Sequence, residues 1–250
     1  MENNGAPQPF ISVRGLHKSF NGKPVLRGVN LDVYEGETLV VLGGSGEGKS
    51  VILRHLNGLV APDTGEVRVG GRLLEGLGED ELYEVRKQVA MVFQLGALFD
   101  SLTVYGNISY PLREHTKLSE TQMRARVAEL LAMVDLKGTE HLYPAELSGG
   151  MKKRVALARA IALEPRAVLY DEPTTGLDPI VTMHINELIR GLQRRLGFTS
   201  VVVTHDLKSA FAVGDRFALL DHGRIRFIGT ADEVRATGDE LMREFLRAAF

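Results

Sequence analysis

The chain has no cysteine. Disulfides and thiolate metal sites are thereby excluded, which fits a reducing compartment. Long hydrophobic runs are missing too: nothing approaches the roughly 18 apolar residues of a membrane span, so any membrane role is expected to be peripheral. The opening MENNGAPQPF lacks the charged start and apolar core of a signal peptide. A charge excess is also missing: 30 Lys and Arg stand against 32 Asp and Glu, a formal net charge of -2. Proteins that bind nucleic acid usually carry a basic surplus, so no nucleic-acid partner is expected. There is no internal repeat and no low-complexity block.

What is present is 250 residues, 44% of them hydrophobic, enough for one large domain or a domain with a subdomain. Residues 1–9 read as a disordered tail. ISVRGLHKSF and VLRGVNLDV alternate apolar and polar residues, the pattern of half-buried strands, and the intervening NGK predicts a hairpin. TLVVLGG is a short continuous apolar run, as expected of a strand buried on both faces. It leads into a glycine-rich loop and then a helix, SVILRHLNG, closed by Gly58. TGEVRVGGRLL predicts a further strand pair and VAMVFQ a second buried strand.

Residues 95–164 differ, being mostly helical in pattern. Met123, Val127, Leu130, Leu131 and Val134 fall at helical spacing within 118–135, and Ser119 with Gln122 forms a capping box. A further helix starts near Ser148 and is expected to end at Pro165. Strand and helix then alternate through residue 230, which predicts a largely parallel sheet with helices on its faces. The expected division is a core over 10–94 and 165–230, a helical insertion over 95–164 and a C-terminal extension over 231–250.

GGSGEGKS, residues 43–50, fits the phosphate-binding pattern G-x-x-x-x-G-K-[ST], and it lies where that pattern requires, between a strand and a helix. Gly43, Gly44, Ser45, Gly46, Glu47 and Gly48, with Val51 opening the helix, form an anion nest of backbone N–H groups at a helix start. Lys49 reaches the β- and γ-phosphates, and the Ser50 hydroxyl can ligate Mg²⁺. AVLYDE ends a second buried strand in two acids. Asp171 is expected to hold Mg²⁺ and Glu172 to take a proton from attacking water. Gln94 and His205 also follow apolar strands, and parallel strands deliver such ends to one sheet edge. Gln94 is assigned to Mg²⁺ and the attacking water, His205 to the γ-phosphate. The other six histidines read as structural, since no metal spacing links them.

LSGGMKKRVALARAIALEP, residues 147–165, poses a problem of its own. Lys152, Lys153 and Arg154 crowd the positive end of a helix, which disfavours each by up to about 1 kcal/mol. Ser148, Gly149 and Gly150 look built to receive an anion. The nest at 43–50 is already complete, so the simplest partner is a γ-phosphate held by a second copy of the chain.

Taken together, GGSGEGKS, Gln94, LSGGM, AVLYDE, GLD (176–178) and His205 stand in the order of an ATP-binding cassette (ABC) ATPase, and the resemblance covers nearly all of residues 11–230. It implies an α/β fold: a P-loop NTPase core with a mainly parallel sheet, an N-terminal antiparallel β-subdomain and an inserted α-helical subdomain. It also implies ATP and Mg²⁺ as ligands, and ATP sandwiched between the P-loop of one subunit and Ser148, Gly149 and Gly150 of its partner. Asp178 would lie in the loop coupling the two sites. Phe20 matches the aromatic that stacks on adenine, with ordinary hairpin packing as the alternative. Met151 departs from the usual LSGGQ signature. LSGGM together with QLGALFDSLTV (94–104) resembles the branch serving Mla/Mce-type lipid transporters, with an importer of another solute such as amino acids as the alternative.

The same resemblance implies a homodimer at the cytoplasmic face of a bacterial inner membrane, with substrate-binding and regulatory subunits as further partners. A membrane permease would dock on Leu95, Gly96, Ala97, Leu98 and Phe99, an apolar patch whose other reading is internal packing. Leu241, Met242, Phe245, Leu246 and Ala249 form one helical stripe, packed on its own domain or on the second ATPase subunit.

Overall fold

The protein is described by a computed structural model covering residues 8–249; residues 1–7 of the expected tail lie outside the described residues. Pro9 does not belong to a tail, because it opens the first strand, β1 (Pro9–Phe20). β2 (Lys23–Tyr34) pairs with β1 antiparallel across Asn21 and Gly22. Both turn residues have positive φ, 50° and 75°, the backbone that a two-residue hairpin demands.

β3 (Thr38–Leu42) leads to α1 (Lys49–Leu56), β4 (Thr64–Val69) and β5 (Arg72–Leu73). α2 (Glu79–Gln88) and β6 (Val89–Val92) follow. The insertion comprises α3 (Val104–His115), α4 (Glu120–Met133), a 3-10 turn (Pro144–Glu146) and α5 (Gly149–Ala160). The chain resumes with β7 (Ala167–Asp171), α6 (Pro179–Leu196), β8 (Thr199–Thr204), α7 (Leu207–Val213), β9 (Arg216–Asp221) and β10 (Arg224–Thr230). α8 (Ala231–Ala236) and α9 (Glu240–Ala249) close it.

Two sheets organise these elements. The first, in the order β2-β1-β4-β5, is antiparallel. The second, in the order β10-β9-β3-β8-β7-β6, is parallel except where β10 turns back on β9. Alternation along its strands sends side chains to two cores. Leu39 and Val41 face Ile52, Leu53 and Leu56 of α1 and the antiparallel sheet. Val40 and Leu42 face the opposite way, into the core shared with α3 to α7. Covered on both faces, β3, β7 and β8 are buried at every residue, which explains the continuous apolar stretches LVVL, AVL and VVV within them. Each such Val, Leu or Ile contributes roughly 1.5–3 kcal/mol by leaving water.

In the insertion, the predicted stripe Met123, Val127, Leu130, Leu131 and Val134 is buried throughout. Ser119 caps α4, accepting from the Gln122 N–H while Gln122 accepts from the Ser119 N–H. α5 ends earlier than its sequence predicts. It stops at Ala160, five positions before Pro165, and Glu164 takes φ 52° in the exit turn. α2 was not foreseen, because Val85 is its sole buried residue and its charged pattern has no apolar stripe. α9 packs on its own chain: Met242 is fully buried, and Leu241, Phe245 and Leu246 lie against the larger core. The Ala249 side chain lies outside what is described.

Candidate functional site

The carboxyl ends of β3, β6, β7 and β8 converge at one sheet edge, where α/β sheets place ligands. The loop after β3 crosses beneath β2. Gly48 there has φ 102°, and a Cβ on it would lie 2.9 Å from Leu26 Cδ2, so the backbone turns inward only as glycine. The loop bounds a cavity of about 810 Å³ lined by Val25, Gly44, Ser45, Gly46, Gly48, Lys49, Ser50, Val51, Gln94, Glu172, His205 and Phe245.

Within it, Lys49 is only 7% exposed. Its Nζ donates to the carbonyls of Gly43 (2.9 Å) and Gly44 (2.8 Å) and stands 3.8 Å from Glu172 Oε1. Burial pushes the Lys49 ammonium below the usual lysine range, against the opposing charges of Glu172, Asp171 and Glu47. The Ser50 hydroxyl donates to Asp171 Oδ1 at 2.7 Å. A hydroxyl and a carboxylate in contact at a phosphate loop are the hard oxygen donors that Mg²⁺ takes, so the site fits that ion.

Glu172 follows β7 with φ 48°. Its N–H donates to the Val203 carbonyl at 3.0 Å, which fixes the turn against β8. The carboxylate accepts from Thr175 Oγ1 (3.1 Å) and Thr204 Oγ1 (3.2 Å) and meets His205 Nδ1 at 2.9 Å. Gln94 lies two residues past the end of β6 and lines the same cavity. The edge therefore gathers a buried cation, an oxygen pair for a metal, and an oriented carboxylate where water can approach. That constellation suits phosphoryl transfer to water.

Other expected residues sit elsewhere. Glu47 turns its carboxylate to accept from the His222 N–H and does not line the cavity. Gly43 also lies outside the cavity wall. Phe20 ends β1, 43% exposed, with the Lys18 ammonium 5.6 Å from its ring centroid. Asp178 caps α6, accepting from the Ile180 and Val181 N–H groups at 3.0 Å each. Ser148 caps α5, accepting from the Met151 N–H at 3.3 Å. Ser148, Gly149 and Gly150 lie outside the lining of the chain's own cavity; Gly149 sits against Leu177, just before the α6 cap, and Gly150 against Val181 in the first turn of α6.

Sequence reasoning missed three contributors. Val25 and Phe245 line the cavity, and neither carries a local signal for it. Lys153 is buried, and its Nζ donates to the Gln94 carbonyl. The puzzle of cations at the α5 start is thus partly resolved by carbonyls of the same chain.

A second cavity, about 400 Å³, opens between α2, α3 and α5; Tyr83, Lys87, Phe93, Ala97, Phe99, Tyr110, His115 and Arg159 are among its lining residues. Of the expected apolar patch, Ala97 and Phe99 line it, Leu95 is 88% exposed, Gly96 is buried and Leu98 packs on the core. Phe99 and Tyr110 meet with ring centroids 5.0 Å apart and their planes tilted by 49°.

Comparison with known proteins agrees with this geometry. Residues 26–175 match the ABC transporter family. The chain is 39% identical over 237 residues to the intermembrane phospholipid transport system ATP-binding protein MlaF of Escherichia coli K12, covering 95% of this chain and 88% of that one. It is 40% identical over 236 residues to the probable ribonucleotide transport ATP-binding protein Mkl of Mycobacterium leprae, covering 94% of this chain and 68% of that one. Among solved structures it is similar to a dimeric ATP-binding cassette in a post-hydrolysis state bound to ADP and Pi (TM-score 0.81, 33% identity, 88% of this chain and 98% of that one). It is also similar to CbiO1 of Clostridium perfringens, part of an ABC transporter complex (TM-score 0.84, 30% identity, 96% of each chain). A complete phosphate edge, a separate signature helix and sequence likeness on this scale lead to one assignment: the chain belongs to the ABC transporter family, as an ATP-hydrolysing cassette.

Proposed function

We propose that this cassette pairs with a second copy of itself, hydrolyses ATP at two shared sites and drives a membrane permease that moves phospholipid between membranes. The observation that carries the cargo is the likeness to MlaF along 88% of that protein's length. The likeness to Mkl, a protein named for ribonucleotide transport, spans only 68% of Mkl. No helix among the described residues is long and apolar enough to cross a membrane; the proposed place, peripheral on the cytoplasmic face of the inner membrane, rests on the likeness to MlaF.

In this reading Lys49 and the backbone of residues 43–51 hold the phosphates of ATP. Ser50, Asp171 and Gln94 hold Mg²⁺, which when bound neutralises phosphate charge and orients the γ-phosphoryl group. Glu172 takes the proton of the attacking water, His205 hydrogen-bonds the γ-phosphate, and Phe20 stacks on the adenine ring. Ser148, Gly149 and Gly150 serve the partner's γ-phosphate, with Asp178 linking the two sites. Their distance from the chain's own cavity and the dimeric ADP-bound relative support that division.

The groove containing Phe99 and Tyr110 is assigned to a permease segment, because exposed aromatics in a concave patch favour a protein partner. Substrate-binding and regulatory subunits complete the proposed assembly. The test is transport in proteoliposomes carrying the cognate permease. ATP should drive movement of a fluorescent phospholipid with wild-type cassette but not with Glu172→Gln. Uptake of an amino acid with no movement of lipid would establish the importer reading instead.

A further inference from the structure

α5 begins with the signature residues and, within its first turns, buries an ammonium. Lys153 is 6% exposed, and a charge so placed needs partners to stay in the interior. Its Nζ donates to the carbonyl of Gln94 and lies 3.5 Å from the carbonyl of Glu172. These are the backbones of the two loops that present the metal-sensing amide and the general base. Burial pulls the Lys153 ammonium below the usual lysine range, while the charges of Glu172 and Asp171 oppose that pull.

A second hold strengthens the first. Arg159, also on α5, donates to the carbonyls of Gly96 (2.7 Å) and Ala97 (2.8 Å). The segment after β6 is therefore gripped at residues 94, 96 and 97 by one helix. That helix has Ser148 as its cap and packs Gly150 on Val181, in the first turn of α6. A helix of 12 residues moves nearly as a rigid rod. A shift at its signature end must displace the Gln94 and Glu172 backbones unless the Lys153 contacts break.

We propose that Lys153 is a positioning residue for ATP hydrolysis: it clamps the Gln94 and Glu172 backbones to the signature helix, so that nucleotide engagement at Ser148 in one site moves the hydrolytic side chains of the other. The inference rests on the reading above that Ser148 serves the partner's nucleotide. Cooperativity between the two sites then has a path within each protomer, from Ser148 along α5 to Lys153 and across its hydrogen bonds to Glu172.

The test is steady-state hydrolysis by the full-length dimer, with ATP binding to the isolated chain measured beside it. Wild type is expected to show a Hill coefficient above one. Lys153→Met should leave ATP binding unchanged, lower kcat by about 10²-fold, the scale of a small misplacement of reacting groups, and bring the Hill coefficient to one. Lys153→Arg, which keeps charge and donors, should restore both. A non-cooperative wild type, an unaltered kcat or Hill coefficient in Lys153→Met, or no rescue by Lys153→Arg overturns the proposal. If Lys153→Met fails to melt cooperatively, Lys153→Ala, which also lacks a donor, carries the same expectations and the same overturning results. Failure of the underlying trans reading shows separately: ATP would then produce no interchain cross-link between a Ser148→Cys chain and a Ser45→Cys chain, in a protein that has no other cysteine.

Discussion

His205 Nδ1 stands 2.9 Å from Oε1 and 3.0 Å from Oε2 of Glu172, straddling the carboxylate rather than meeting one oxygen. The two come from the ends of adjacent parallel strands, β8 and β7, so the sheet itself sets their separation. Glu172→Gln keeps the shape but cannot take a proton. Turnover should fall by roughly 10²–10⁴-fold, while an ATP-loaded dimer accumulates on size exclusion. Normal steady-state hydrolysis would remove Glu172 from the base role.

Mixed dimers separate action in trans from action in cis. A protomer with Ser148→Arg joined to one with Glu172→Gln retains one intact shared site if the signature loop serves the partner. At most half of wild-type activity then survives, a factor of two being about 0.4 kcal/mol in rate terms, and less where the surviving Glu172 depends on Ser148 of its own protomer. Each homodimeric variant should be nearly inactive.

Gly150 meets α6 so closely that a Cβ would lie 2.7 Å from Val181 Cγ1. Valine is stiff at χ1, so Gly150→Ala must push α5 from the Asp178 loop, at a cost of about 1–3 kcal/mol. Thermal melting measures that cost. Hydrolysis should fall further than ATP binding to the isolated chain, because the displaced loop is remote from the chain's own phosphate cavity.

Asp215 joins α6 to the core sheet, accepting from Arg190 at 2.6 Å and from the Thr38 N–H at 2.8 Å. Burial alone would raise its pKa, but the bonds from Arg190 and Thr38 and the nearby arginine charges outweigh it and hold the carboxyl below its ordinary value. A depressed folded-state pKa stabilises above the unfolded value, near 3.9, and that stability is lost as pH falls below it. Asp215→Asn should therefore cost about 1 kcal/mol at pH 7 and flatten the acid limb of a stability curve below about pH 4. An unchanged acid limb would show the pair to be energetically idle.

The core of the site was legible because its signals are local. A phosphate loop needs glycines, a lysine and a hydroxyl within eight residues, and acids ending buried strands stand out against apolar neighbours. α4 was legible for the same reason, its stripe and capping box lying within 16 residues. α2 left no such trace, since a helix that buries only Val85 has no periodic pattern to read. The end of α5 misled because Pro165 is a strong stop signal, whereas the chain had already turned at Ile161 through its own hydrogen bonds.

The amino-acid sequence by itself determined which residues can hold a triphosphate, since backbone freedom at Gly48, charge at Lys49 and acidity at Asp171 and Glu172 are properties of those residue types at that spacing. Only the tertiary structure decided what the cations of α5 do. Lys153 faces carbonyls 59 and 19 positions away in the chain, and a partner that distant is chosen by the packing of the sheet and helices, not by any neighbour in the sequence. The same holds for Glu172, whose chemistry is local but whose aim is set by a histidine 33 residues on, brought beside it by the pairing of two parallel strands.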